Sequence, residues 1–426
     1  VKQGLAARIA AARVLGRILE QGQTIDDAFA AEQGGQLSPS DNGFMRALVM
    51  TTLRHCGQID ATLRPLLPRP PHKIKPPHLL NILRLGVVQL LCMEGAEHAA
   101  VDLSVEAAAK NRKTAPAKNM VNAVLRRILR EGIKLDPDTQ RNIPQWMYKS
   151  WQKDYGAEVA QKIAAAALVE PPLDITVKNA AERESWAEKL DAVILPTGTL
   201  RCALQKGDIT AMPGFAEGAW WVQDAAAALP AQVLAEGHNL KDAQVIDLCA
   251  APGGKTMQLA ALGAKVTAVD KSKKRLEMLG QNLKRTGLSA NVKTVAGDVT
   301  TWQPAEQVDY VLLDAPCSAT GTLRRHPDLL HLKQEEDIAG LAALQEQALQ
   351  NAVRMLKPGG TLVYAVCALQ SAEGEEHGAP QGTTRVAIDA FPLQPDKAGN
   401  LRIFPFTDAG AEGGMDGFFI ARFRKD

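Results

Sequence analysis

The 426-residue sequence holds 6 cysteines and 8 histidines but no Cys-x-x-Cys pair and no His-Cys set at metal-ligand spacing. That argues against a zinc site and against a disulfide framework, and it fits a reducing cytoplasm. Apolar runs of membrane length are lacking too. A bilayer span needs roughly 18 consecutive apolar residues, and the longest candidate, residues 79–93, is interrupted by Asn81, Arg84 and Gln89. No secretory leader is legible, and Val1 in place of Met points to a short native start ahead of this sequence. Tandem repeats and low-complexity tracts are missing, which excludes a repeat solenoid. The most polar, glycine-rich stretch, residues 373–382, is expected to be a mobile loop.

With 46% hydrophobic and 23% charged residues, the chain has room for two or three globular domains. The net charge of +2 hides an asymmetry: residues 1–132 carry 18 lysines and arginines against 11 acids, and the remainder 31 against 36. The basic balance of the first part suggests contact with a polyanion. Its densest clusters are Lys110, Arg112, Lys113 and Lys118, then Arg126, Arg127 and Arg130. Apolar residues recur there at helical spacing over 4–20, 40–53, 59–66, 79–92, 101–109 and 117–129. After a proline-containing polar connection at 136–144 come helices at 146–155 and 159–168, a strand at 173–178, a helix at 182–190 and strands to about 211. The expected domains are therefore 1–132, 133–217 and 218–426.

The third domain is organised around residues 245–255, VIDLCAAPGGK. Val245, Ile246 and Leu248 read as a buried parallel strand, Pro252, Gly253 and Gly254 break it, and a helix resumes at Thr256. Glycines after the first strand of a doubly wound sheet let the backbone approach a nucleotide-like ligand. The spacing is not G-x-G-x-x-G, which argues against a nicotinamide enzyme. A second strand, 265–270, ends in Asp270 roughly twenty residues on, where a carboxylate usually holds an adenosine ribose. Strands at 291–295, 310–313 and 361–365 end respectively at Gly297 and Asp298, at Asp314 to Cys317, and at Cys367. LKPGG, after a helix at 341–355, reads as a helix stop. One crevice could collect the polar and reactive groups at these strand ends.

Cys317 and Cys367 carry the sharpest chemical signal. Amino-group methyltransferases commonly present Asp or Asn, two prolines and an aromatic where Asp314-Ala315-Pro316-Cys317 stands, so a thiol takes the place of an amine site. Carbon 5 of a pyrimidine is a poor nucleophile until something adds to ring carbon 6, and a thiolate is the side chain best suited to that reversible addition. The resulting enamine can attack a sulfonium methyl. A base must then remove the carbon 5 proton so that the thiol leaves, and a second cysteine or an assisting acid is chemically reasonable there.

Together CAAPGGKT, AVDKS, AGD, LLDAPCSATG, RRHPD and GGTLVYAVCA resemble the RNA 5-methylcytosine methyltransferase family, and the helical N-terminal part resembles the RNA-binding fold of the NusB antitermination factor. The resemblance covers nearly the whole chain and is most specific over residues 222–367. It implies an all-α NusB-like domain, a small α+β domain and an α/β Rossmann-like class I methyltransferase domain. It also implies S-adenosyl-L-methionine as cofactor, 16S ribosomal RNA as partner, and methylation of a cytosine at carbon 5. By family position, Cys249, Ala250, Ala251, Pro252, Gly253, Gly254 and Lys255 form the cofactor loop, Asp270 holds the ribose with Arg275 beside the cofactor, and Asp298 sits by the adenine. Asp314 lies between cofactor and target base, Cys367 is the nucleophile and Cys317 the thiol that assists release. Arg324, Arg325 and His326 fall where the family contacts RNA or shapes the active site. A cytoplasmic monomer without metal or membrane is expected.

The sequence departs from the family where Val366 and Ala368 flank Cys367 in place of Thr and Ser, and where Gly374 replaces an Asn. These departures motivate a rival reading, a non-catalytic RNA-binding or ribosome assembly factor, and a transfer RNA cytosine is a second alternative. Residues 373–391 are short for the helix the family carries there, whereas DGFFIARF matches its final antiparallel hairpin strand.

Overall fold

The alanine-rich first segment forms α1 (Leu5–Gln21), and Ala7, Ala10, Ala11 and Ala12 make half of its buried stripe small, beside Leu5, Val14, Leu15 and Ile18. Small residues let neighbouring helices approach closely, and α1 packs against α3 (Pro39–Arg54), α5 (Pro77–Leu91) and α6 (Glu97–Lys110), after the intervening α2 (Ile25–Ala30) and α4 (Cys56–Leu63). Side-chain caps start two of these helices: Thr24 accepts from Asp27 N, and Ser38 from Asp41 N with Pro39 in the first turn. Helices α7 (Lys118–Glu131), α8 (Gln145–Tyr155) and α9 (Ala157–Ala167) follow. This computed structural model describes residues 4–32, 37–203, 207–389, 393–408 and 410–426. Among them no helix is long and apolar enough to cross a membrane.

The chain divides into two compact units rather than three segments in sequence order: Val1–Leu168 with Leu323–Lys333, and Val169–Thr322 with Gln334–Asp426. Side-chain amides explain why the first unit runs past residue 132. Gln58 N donates to Asn142 Oδ1 at 3.0 Å, Asn142 Nδ2 returns a bond to Gln58 Oε1 at 2.7 Å, and Asp136 N donates to Thr62 Oγ1. The late segment Leu323–Lys333 is fastened there by Arg54 Nη2 to Arg324 O at 2.8 Å and by Ile25 N to Asp328 Oδ2 at 3.0 Å.

The second unit opens with β1 (Leu173–Val177), α10 (Arg183–Lys189), β2 (Ala192–Ile194), β3 (Leu200–Cys202) and β4 (Trp220–Val222). They form an antiparallel sheet in the order β2-β3-β1-β4. Asp174 and Arg201 make a two-pronged pair at 2.8 Å with side chains 0% and 6% exposed, and Arg201 also donates to Glu412 O and Gly414 O. The sheet is thereby tied to the segment before the last strand. Removing one partner of a buried pair leaves an uncompensated charge, so Arg201→Ala is expected to destabilise this unit by about 3–5 kcal/mol, read as a fall in urea midpoint.

Next come α11 (Ala225–Ala235), β5 (Gln244–Leu248), α12 (Gly254–Ala261), β6 (Lys265–Asp270), α13 (Lys273–Thr286), β7 (Val292–Ala296) and β8 (Val308–Asp314). After α14 (Leu329–Leu332), which belongs to the helical unit, the chain continues through α15 (Glu336–Met355), β9 (Leu356–Val366), β10 (Thr383–Val386), β11 (Leu401–Ile403) and β12 (Phe418–Lys425). The large sheet runs β10-β12-β9-β8-β5-β6-β7, with β11 paired to β12. Strands β5 to β9 are parallel and β12 is antiparallel to β9, as expected of the final strand. From β5 the chain steps to β6 and β7 on one side, then to β8 and β9 on the other. A ligand crevice opens at the carboxyl ends of the strands at such a reversal.

LKPGG stops the helix as expected, but the strand expected from residue 361 already begins at Leu356. Residues 357–360 are absorbed by a register shift between Val308↔Leu356 and Tyr310↔Thr361. Residues 373–382 also begin tightly held, because Glu373 and His377 are buried.

Candidate active site

At the end of β5, Cys249 takes a left-handed conformation with φ 61° and turns the chain sharply into the loop before α12. Gly253, at φ 110°, has no room for a side chain: a Cβ there would meet Leu279 Cδ1 at 2.2 Å, so this glycine is what lets the loop close on α13. Asp270 ends β6 with a nearly buried carboxylate that accepts from Ala251 N at 3.2 Å and Ser272 N at 2.9 Å and pairs with Arg275 at 3.3 Å. Arg275 also donates to Ala251 O. The loop and the acid are thus one cross-braced corner. Asp298, beyond β7, accepts from Thr300 Oγ1 and Thr300 N, bonds that with Lys271 lower its carboxyl to about 2. It is ionised throughout the neutral range.

Strands β8 and β9 are in register with Asp314 opposite Ala365, so the loops that follow them start side by side. Cys317 Sγ and Cys367 Sγ stand 3.5 Å apart. The hydrogen bond to Cys317, then burial and the nearby Asp314, push the Cys367 thiol above its usual range. Lys255 Nζ donates to Asp314 Oδ2 at 2.7 Å and lies 5.3 Å from the centre of the Phe418 ring. Burial works against its charge, but Asp314 and Cys367 outweigh it and its pKa is raised, so it stays an ammonium. A cavity of about 310 Å³ is lined by Cys249, Asp270, Arg275, Asp298, Asp314, Cys317 and Cys367, together with apolar neighbours such as Val269 and Leu344.

Residues 233–424 match the family described as 16S rRNA methyltransferase RsmB/F, and residues 5–130 match the NusB family. A ribosomal RNA small subunit methyltransferase B from Salmonella arizonae is 35% identical over 444 residues, covering 98% of both proteins. The chain belongs to the RsmB/F methyltransferase family. The enzyme of the same description from Klebsiella pneumoniae is 34% identical over 448 residues, 100% of this chain and 99% of its own length. Among solved structures, PH0851 superposes with a TM-score of 0.77 at 25% identity over 99% of this chain and 98% of its own. NSun6 from Pyrococcus horikoshii with SFG shares the fold, with a TM-score of 0.57 at 22% identity over 66% of this chain and 98% of its own.

S-adenosyl-L-methionine is the methyl donor of the RsmB/F family, and the donor set here fits it. Carboxylates at the ends of β6, β7 and β8 can accept from ribose hydroxyls and an adenine amine, and their negative charge suits a sulfonium. Of the expected cofactor loop only Cys249 lines the cavity. Ala250, Ala251 and Gly253 are buried and Pro252 is exposed, Gly254 starts α12, and Lys255 reaches Asp314. Asp247 is a residue that sequence pattern does not single out. It is fully buried in β5, accepts from Thr256 Oγ1 at 2.5 Å, and its carboxyl is pushed up to about 7, chiefly by burial.

The expected RNA contacts separate into two kinds. Lys110, Arg112 and Lys113 are exposed at the end of α6 in the helical unit. Arg324 is 1% exposed within that same unit, so its guanidinium is not presented to a polyanion, while Arg325 and His326 are half-buried. None of the last three lines the cavity.

The departures around Cys367 have a physical setting. Val366 and Ala368 are both 0% exposed in apolar surroundings, where an added hydroxyl would need a buried partner. At Gly374 a Cβ would meet Arg402 Nη2 at 2.7 Å and Phe419 Cγ at 2.9 Å. Arg402 cannot swing aside freely: it is paired with Glu375, donates to Ala368 O at 2.7 Å and lies over the Phe419 ring. Gly374→Asn is therefore expected to destabilise the unit by about 1–3 kcal/mol, seen as a lower melting temperature, despite restoring the family residue.

Proposed function

We propose that the chain methylates carbon 5 of a cytosine in 16S ribosomal RNA while Cys367 is covalently bonded to carbon 6 of that base. The observation that carries this reading is the 3.5 Å pair of thiols at the ends of adjacent strands, sharing a cavity with Asp270. Bound S-adenosyl-L-methionine would supply an electrophilic methyl, its sulfur keeping the bonding pair as the neutral thioether of S-adenosyl-L-homocysteine. Cys367 Sγ, as thiolate, adds to carbon 6 and makes carbon 5 nucleophilic, and carbon 5 takes the methyl. Cys317 Sγ, as thiolate, accepts the carbon 5 proton and becomes a thiol, the pair of the C–H bond reforms the 5,6 double bond, and Cys367 leaves as thiolate. Asp314, anchored by Lys255, accepts from the exocyclic amine of the cytosine, a match that uracil lacks. The base must leave its stack to reach the thiols. Lys110, Arg112 and Lys113 supply phosphate grip on the helical unit, and the relatives named for small-subunit ribosomal RNA favour that substrate.

The test is methyl transfer from labelled S-adenosyl-L-methionine to deproteinised small-subunit ribosomal RNA and, in parallel, to bulk transfer RNA, with nucleoside analysis. Label in 5-methylcytosine from the ribosomal RNA is the expected result. Label confined to transfer RNA would move the substrate, and label in another nucleoside would reject the carbon 5 assignment. Binding of cofactor and RNA without transfer would favour the assembly-factor reading.

A further inference from the structure

Glu373, in the turn that follows Cys367, is 0% exposed and has neutral donors around it. Its Oε1 accepts from Ser318 N at 2.8 Å and from Gln345 Nε2 at 3.1 Å, and its Oε2 accepts from Ser318 Oγ at 2.5 Å. Gln345 Nε2 also donates to Pro316 O at 2.9 Å. Pro316 and Ser318 are the two neighbours of Cys317, so Glu373 and Gln345 bracket the chain on both sides of that thiol. Further bonds continue the network: Thr320 Oγ1 donates to Gln370 Oε1 at 2.6 Å and accepts from Leu369 N at 2.9 Å.

Cys367 is held by other means. Its carbonyl accepts from Gly321 N, the next carbonyl accepts from Arg402 Nη1, and both flanking side chains are packed in the apolar core. Glu373 bonds directly to Ser318 and to the Gln345 amide that holds Pro316, so its loss bears first on Cys317. Buried polar networks of this kind cost more when half-satisfied than when absent, so the carboxylate fixes one arrangement of the loop.

We propose that Glu373 is a positioning residue that sets Cys317 for proton removal from carbon 5, and so acts on release of the covalent adduct rather than on its formation. In that step the carbon 5 proton passes to Cys317 Sγ. The pair left by the C–H bond forms the 5,6 double bond, and the pair of the carbon–sulfur bond returns to Cys367. The inference rests on the covalent reading above. A merely structural role would lower adduct and product together; a role in release raises their ratio.

The experiment uses the full chain with labelled S-adenosyl-L-methionine and small-subunit ribosomal RNA, and reads label in denaturation-resistant protein–RNA adduct against label in free RNA. Glu373→Ala is expected to raise that ratio on the order of tenfold, the effect of losing hydrogen bonds to a buried charge. Glu373→Gln, which keeps an acceptor, and Ser318→Ala, which removes one bond from the other side, are expected to raise it less, and they guard against a fold defect in the alanine variant. Cys317→Ala serves as reference and Cys367→Ala as blank. If Cys317→Ala raises the ratio and none of the other three does, the role of Glu373 is overturned. If Cys317→Ala gives no adduct either, the covalent reading itself fails and takes this inference with it.

Discussion

Full-length protein carrying Cys367→Ala is expected to bind S-adenosyl-L-methionine as the wild type does and to lose methyl transfer by a factor on the order of 10⁴ or more. The two halves of that expectation rest on different residues. In the proposed reading the cofactor is held by the corner of Asp270, Arg275 and the loop after β5, whose bonds run among themselves and not to Cys367. Carbon 5 of cytosine, by contrast, is a poor nucleophile until carbon 6 is occupied, and the other thiol within reach, Cys317, is committed in this reading to the proton. Fold loss is not the cause to fear. Val366 and Ala368 keep their packing, and trimming one sulfur costs on the order of 1 kcal/mol. Equilibrium binding of the cofactor, a thermal melt and a transfer assay on one preparation check all parts. Retention of even a tenth of the wild-type rate would remove Cys367 from the role of nucleophile.

Much of this site is legible in the amino-acid sequence. Strand β6 can be read to the residue, because KVTAVD is apolar and alternating and is bounded by glycine on one side and a helix cap on the other. The acids and thiols at strand ends are legible for the same reason: in a parallel sheet, whatever follows each buried run faces one crevice. Lateral register is not. Nothing in the sequence says that Asp314 lies opposite Ala365, and it is that register which brings two distant cysteines to 3.5 Å. Polar residues that work while buried are the hardest to read. Glu373 stands in a glycine-rich stretch that resembles a loop, and only tertiary contacts with Ser318 and Gln345 make it a core residue. Arg324 shows the same difficulty, since RRHPD displays its charge but nothing in the sequence says that the structure buries it. The short α2 escapes because six residues are too few for periodicity to show.

Cys317→Ala is expected to separate the two halves of the reaction. Proton transfer by a placed side chain contributes about 10²–10⁴-fold, so multiple turnover should fall by that order while a stable protein–RNA adduct accumulates toward one per protein. The methylated base in it still carries the carbon 5 proton, which no group is placed to take. The same variant makes a second demand, on pH. Cys367 is neutral over the neutral range because its hydrogen bond to Cys317 raises its pKa, with burial and Asp314 adding to the effect. Below that pKa the thiolate fraction grows roughly tenfold per pH unit, so adduct formation by the wild type should climb as pH rises and level off above the pKa. Removing Cys317 removes the largest cause of the elevation. The climb should then move to lower pH in Cys317→Ala, with the cofactor affinity unmoved. Rapid quenching of single-turnover reactions across pH, with adduct read on denaturing gels, measures both features. An unchanged profile would mean that the thiol pair does not govern ionisation of the nucleophile, and absence of adduct at every pH would remove Cys317 from release.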